Sequence, residues 1–177
     1  IHIFLQYNPY ESYILKINLL LVSVCCPYEA KLLKYVMKNL LSENAAILII
    51  GNEILSGRTE DKNFNYIAKK LSEHGISISE SRTVSDNKEE IISALNDLRK
   101  KFKYVFTTGG IGPTHDDVTA ESIAQAFGVE LEVNSEAFKI LENYYKKIGS
   151  EFNFVRQRMA RIPKGAKLIE NKISAAP

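Results

Sequence analysis

Ala45-Ala46-Ile47-Leu48-Ile49-Ile50 is the stretch on which the fold turns. Six apolar residues without interruption, closed by Gly51, are the pattern of a strand buried on both faces, usually in a parallel sheet. A polar loop over Asn52 to Glu60 is predicted next, and then a helix, because Phe64, Ile67, Ala68 and Leu71 fall at i, i+3, i+4 and i+7. Gly75 stands where a left-handed cap closes such a helix. Ile76 to Val84 alternates partly and reads as a second strand.

A second helix is predicted after Asp86, which stands at the N-cap position with Glu89 three residues on. Its stripe is Ile91, Leu95, Leu98 and Phe102. Tyr104 to Thr108 is a third, short strand, and a helix from Thr119 carries Ala120, Ile123, Ala124 and Phe127 before Gly128 closes it. An extended piece from Val129 to Val133, a helix from about Ser135 to Ile148 and a helical stretch near Phe152 to Ala160 complete the pass. Strands alternating with helices imply an α/β domain whose parallel sheet is covered on both faces.

Residues 1–44 read differently. The chain begins with Ile1, and Ile17 to Cys26 is an apolar run of ten residues, short of the roughly 18 needed to span a bilayer. No secretory pattern is complete there, since Val24 precedes Cys25 where a small residue is wanted. Met37 lies just upstream of the first strand, so translation is expected to begin there, with residues 1–44 an extension outside the fold and 45–177 the domain. The stretch Asn171 to Pro177 has no closing element, so the domain is expected to be cut at its C-terminal end. Cys25 and Cys26 are the only cysteines and are adjacent, which excludes a disulfide framework or a zinc cluster and fits the cytoplasm. A net charge of +2 is too small for a nucleic-acid footprint, and no membrane segment is indicated.

Ligands of open α/β sheets bind beyond the carboxyl ends of the strands. Three polar clusters lie there: Gly51-Asn52-Glu53, Ser85-Asp86, and Thr107-Thr-Gly-Gly-Ile-Gly-Pro-Thr-His-Asp-Asp-Val-Thr119. Glycines at 109, 110 and 112 let backbone N–H groups approach an anion, and the helix from Thr119 adds its positive end. His115 stands where a dinucleotide fingerprint would have its third glycine, and no Lys-Ser/Thr follows as in a P-loop. Alone, such a loop also reads as a structural tight turn.

Asp116 and Asp117 beside a phosphate site would repel the ligand unless a divalent cation bridged them, with Asp86 as a further carboxylate. Equally, Asp86 and Asp117 read as helix caps. Glu53 and His115 read as loop surface, His74 as a helix end, and Tyr144-Tyr145 as the edge of an amphipathic helix rather than a base-stacking platform. Arg156, Arg158 and Arg161 form a local basic face, more simply solvated than phosphate-binding.

Several of these motifs together resemble one family. Ile50-Gly-Asn-Glu-Ile-Leu-Ser-Gly-Arg58, Asp61-Lys-Asn63, Val84-Ser-Asp86 and the loop from Thr107 to Thr119 are similar to the N-terminal domain of the competence/damage-inducible CinA family, itself akin to MoaB/Mog molybdopterin-binding domains. The likeness runs from about Ala46 to Pro177 and implies a three-layer α/β/α sandwich with a mostly parallel sheet, often a homo-oligomer. It implies a small-molecule ligand, a nucleotide or molybdopterin, and for CinA-type members a pyrophosphatase acting on ADP-ribose with Mg²⁺ or Co²⁺. Carried onto matching positions, Asp86 and Asp117 would be catalytic and hold the metal. Gly51, Asn52, Glu53, Ser56, Gly57, Asn63, Thr108, Gly109, Gly110, Gly112, Thr114, Asp116 and Thr119 would line the ligand site. The alternative is a non-catalytic molybdopterin-binding module, or a protein related to molybdopterin adenylylation. Asp116 favours the CinA type, since Mog-type chains tend to carry a basic residue there, and the deamidase half of many CinA proteins is not within this sequence.

Overall fold

Six buried residues in a row need partners on both sides, and the sheet supplies them. In a computed structural model of the chain, the described residues are 2–5 and 44–168, so the expectations about residues 17–26, Met37 and 171–177 lie outside them. Strands β1 (His2–Leu5), β2 (Asn44–Ile50), β3 (Ser77–Val84) and β4 (Tyr104–Thr108) form one sheet in the order β1-β4-β2-β3. β2 runs parallel to both β3 and β4, while β1 is antiparallel to β4. Four residues of the segment expected to stand apart thus extend the sheet at β4, whose open edge offers unpaired backbone groups to any extended segment.

Alternation along β2 sorts its side chains into two cores. Ala46, Leu48 and Ile50 pack with Ile91, Ala94, Leu95 and Leu98 of α3 (Lys88–Lys101) and Ile123 of α4 (Thr119–Phe127). Ala45, Ile47 and Ile49 face the other way, onto Ile67 of α2 (Asn63–Glu73) and Phe106. The result is a three-layer α/β/α sandwich. Each large aliphatic side chain so removed from water contributes about 1.5–3 kcal/mol before entropy is counted.

Two local expectations change. The stretch after Gly51 is not all loop, because Asn52–Leu55 makes a one-turn helix, α1. The N-cap of α3 is Asn87, whose side chain accepts from the Glu90 amide, rather than Asp86. Glu90, not Glu89, completes the cap by accepting from the Ser85 hydroxyl at 2.6 Å. Asp86 is thereby left for another partner.

Beyond Gly128 the chain builds a small lobe. β5 (Leu131–Val133) and β6 (Arg161–Pro163) form a two-stranded antiparallel sheet that the periodicity does not announce. α5 (Ser135–Lys147), the short α6 (Phe154–Gln157) and a 3₁₀ turn over Arg158–Ala160 enclose a third core of Ala137, Leu141 and Ala160. Tyr145 stacks on Phe152 and lies under the Arg156 guanidinium, so that tyrosine and arginine serve packing.

Candidate functional site

Strand order decides where a cleft can open. β2 is followed by α2, which covers one face, and the neighbouring β4 is followed by α4, which covers the other. Adjacent strands whose connections leave in opposite directions part at their carboxyl ends, the usual place for a ligand in such sheets. A cleft of about 540 Å³ lies there, floored by Ile49, Ile50 and Ile54 and bordered by Thr108 and Gly109 of β4 and its loop. Glu53, the strap Arg58 to Lys62 and Asn63 form the rest of its wall.

The strap is held in place by its own side chains. Asp61 accepts from the amides of Asn63 and Phe64 at 2.9 and 3.2 Å, satisfying the first turn of α2. Asn63 then donates its side-chain amide to the Thr108 hydroxyl at 2.7 Å, tying α2 to β4 across the cleft. The Arg58 guanidinium is steadied by the Ser56 hydroxyl at 3.1 Å.

In the glycine loop, the missing Cβ atoms make room for protein. A Cβ on Gly109 (φ 99°) would stand 1.8 Å from the Ile50 carbonyl oxygen, and one on Gly110 (φ 59°) 2.4 Å from the Thr119 hydroxyl. One on Gly112 would stand 2.6 Å from the Asp117 carboxylate. Those spaces are therefore filled by Ile50, Thr119 and Asp117. Thr119 is buried, donates its hydroxyl to the Gly109 carbonyl and its amide to the Gly110 carbonyl, and so pins the loop.

The acids are individually anchored. Asp86 Oδ2 accepts from the backbone amide of Asn52 at 2.8 Å, joining the end of β3 to the start of α1. Asp117 Oδ2 accepts from the Thr114 amide at 2.8 Å and from its hydroxyl, so it closes its own loop rather than capping α4, whose N-cap is Val118. Thr114, with a smaller contribution from His115, also holds the Asp116 carboxyl below its ordinary value, so that exposed acid stays ionised at neutral pH. Among the described residues, no three His, Cys, Asp or Glu side chains gather to hold a metal. Asp86 follows β3 and Asp117 follows β4, the strands on either side of β2, and each is held by its own hydrogen bonds.

Of the residues singled out from sequence, Glu53, Asn63, Thr108 and Gly109 share the cleft. Gly110, Gly112, Thr114, Asp116, Asp117 and Thr119 belong to the glycine loop, while Asn52 and Asp86 meet on the β3 flank of β2. Gly51 donates its amide to the Val84 carbonyl at 3.1 Å and Ser56 its amide to the Asn52 carbonyl, both structural bonds. Gly57, at φ 70°, turns the strap. The cleft residues not singled out from sequence are Ile49, Ile50 and Ile54 and the strap Arg58 to Lys62. A signal for the strap existed in Asp61-Lys62-Asn63, an Asx start to a helix immediately after a basic residue. No helix among the described residues is long and apolar enough to cross a membrane.

Residues 46–174 match a family described as "Probable molybdopterin binding domain". A CinA-like protein of Citrifermentans bemidjiense is 44% identical over 131 residues, which are 74% of this chain and 32% of that protein. A protein of Sulfurisphaera tokodaii is 41% identical over 134 residues, 75% of this chain and 51% of its own length. The chain thus spans about half, or less, of the curated relatives it matches. Among solved structures, the protein CinA of Thermoplasma acidophilum, of unknown function, superposes with a TM-score of 0.69 at 34% identity, covering 77% of this chain and 79% of that one.

Proposed function

Since the chain belongs to the "Probable molybdopterin binding domain" family and is of CinA type, we propose that its cleft binds a phosphorylated small molecule with a flat ring, a nucleotide or a pterin. The single observation that carries this reading is a cleft of about 540 Å³ where β2 and β4 part. That volume suits such a molecule. Ile49, Ile50 and Ile54 offer an apolar floor to a ring, while Asn63 and Thr108 offer hydrogen bonds that fix its orientation. Arg58 and Lys62 on the strap supply positive charge for the phosphates, against Glu53, Glu60 and Asp61 in the same wall.

The finer form of the proposal is hydrolysis of a nucleotide diphosphate such as ADP-ribose. Asp86 and Asp117 would hold a divalent cation, Mg²⁺ or Co²⁺, which supplies neutralisation of the phosphate charge when bound. The Asn52 amide and the Thr114 amide and hydroxyl orient those two carboxylates. Water attacks one phosphorus, its bond to the bridging oxygen breaks, and AMP and a sugar phosphate leave. Incubation of the whole chain with ADP-ribose and Mg²⁺ or Co²⁺ is expected to release AMP, and Asp117→Asn to abolish the release. No turnover with any divalent ion would remove the hydrolytic step.

A second reading, binding of a molybdopterin-like pterin without chemistry, is favoured by one observation. The two aspartates each accept from a backbone amide, and among the described residues no group of three metal-capable side chains is found. Titration calorimetry separates the two, because this reading predicts saturable binding that chelation leaves unchanged.

A further inference from the structure

The strap brings two positive charges to the cleft, Arg58 and Lys62, and among the described residues only the arginine is tethered. Arg58 donates from Nε to the Ser56 hydroxyl at 3.1 Å, and that hydroxyl donates in turn to the Glu53 carbonyl at 3.3 Å. The same carbonyl accepts from the Thr59 amide at 3.1 Å, so both ends of the turn from Ser56 to Thr59 are fastened to α1. Gly57 lets Ser56 and Arg58 meet. At φ 70° it turns the chain between them, and an added Cβ there would meet nothing within 4 Å. This glycine is wanted for its backbone conformation, not for space.

With Nε occupied, the edge formed by the two terminal nitrogens of the guanidinium is left over. Among the described residues Arg58 forms no ion pair, although Glu53 and Glu60 stand in the same wall. Asp61 is already engaged by the amides of Asn63 and Phe64. Two parallel N–H groups on one planar edge match two oxygens of a phosphate, whereas Lys62 carries a compact charge without that geometry. A side chain that is already held also loses less freedom when a ligand arrives. We infer that Arg58 is the residue that selects phosphorylated ligands in this cleft, its Nη edge taking two oxygens of one phosphate, and that Ser56 is a positioning residue for it. The inference rests on the reading of the cleft as a site for a phosphorylated ring, and it sets one phosphate at the strap.

Titration calorimetry of the whole chain with AMP beside adenosine, and with neopterin monophosphate beside neopterin, tests this. A chelator is present, so that any preference belongs to the protein and not to a cation. In a pair that binds, the phosphorylated member is expected to bind about tenfold tighter. Arg58→Gln is expected to bring the two members within about twofold, and Arg58→Lys not to recover the difference, since the charge returns without the planar edge. Ser56→Ala is expected to lower the ratio about threefold and Ser56→Thr, which keeps the hydroxyl, to restore it. A serine that only supports the fold would weaken both members alike and leave their ratio unchanged, which would overturn its positioning role. A wild type that does not distinguish the members, or an Arg58→Gln variant that still does, would overturn the inference while leaving the cleft a binding site. Binding of no member of either pair would remove the cleft reading itself, and the inference with it.

Discussion

Two parts of this molecule bury leucine completely and do so in different surroundings. Leu48 lies in a strand whose six apolar residues are almost wholly removed from water, between helices on both faces. Leu141 is just as buried, yet among the described residues only Ala137 and Ala160 share that condition in its cluster, and the others packed against the cluster, Phe138, Tyr145, Phe152, Met159 and Leu168, are partly open. Burial of one residue is therefore a poor guide to the rigidity of its region. What differs is how far the surroundings relax when something is removed.

The largest effect is expected in the sandwich. Leu48→Ala should cost about 4 kcal/mol of unfolding free energy, and Leu141→Ala about 2 kcal/mol, because the lobe's half-open aromatics can collapse into the space. Urea melts of the two variants measure this, and equal losses would mean that the lobe is packed as tightly as the sheet. Gly109→Ala comes next, at about 3 kcal/mol or somewhat less, since the added methyl meets the Ile50 backbone in a left-handed conformation. A melt indistinguishable from wild type would show that the loop moves freely against β2. Smaller again is Asn134→Ala, which removes the side-chain cap accepting from the Glu136 and Ala137 amides. A loss of about 1 kcal/mol is expected, with hydrogen exchange rising along α5 while β2 stays protected. Exchange rising equally in both would join lobe and sandwich into one cooperative unit.

The same contrast separates what the sequence discloses from what it hides. The β2 run is legible because a strand buried on both faces has no polar alternative, and the α2, α3 and α4 stripes because one helical face meets one sheet. The lobe was readable as helices, but its β5–β6 pairing joins residues some thirty positions apart through three-residue strands, too short for any period to register. At the strand ends, Asn63, Thr108, Gly109 and Glu53 were reached through recurring motifs. Arg58, Asp61 and Lys62 stand in the same motifs without being singled out for the site, because a strap's membership of a cleft depends on how Asp61 folds it back onto α2. The glycines were legible as special positions, but their cause was not. Only coordinates reveal that the atoms nearest their missing methyls are Ile50, Thr119 and Asp117. Asp86 likewise reads as a cap until Asn87 is seen to take that place.

The central claim is that the parting of β2 and β4 forms a binding cleft closed by the Asn63–Thr108 bond. Titration calorimetry of the whole chain with ADP-ribose, beside an Asn63→Ala variant of unchanged fold, tests it most directly. Saturable binding that the variant weakens about three- to tenfold is predicted, the worth of one oriented hydrogen bond. Binding of equal strength in both proteins, or none in either, would contradict the placement of the ligand there.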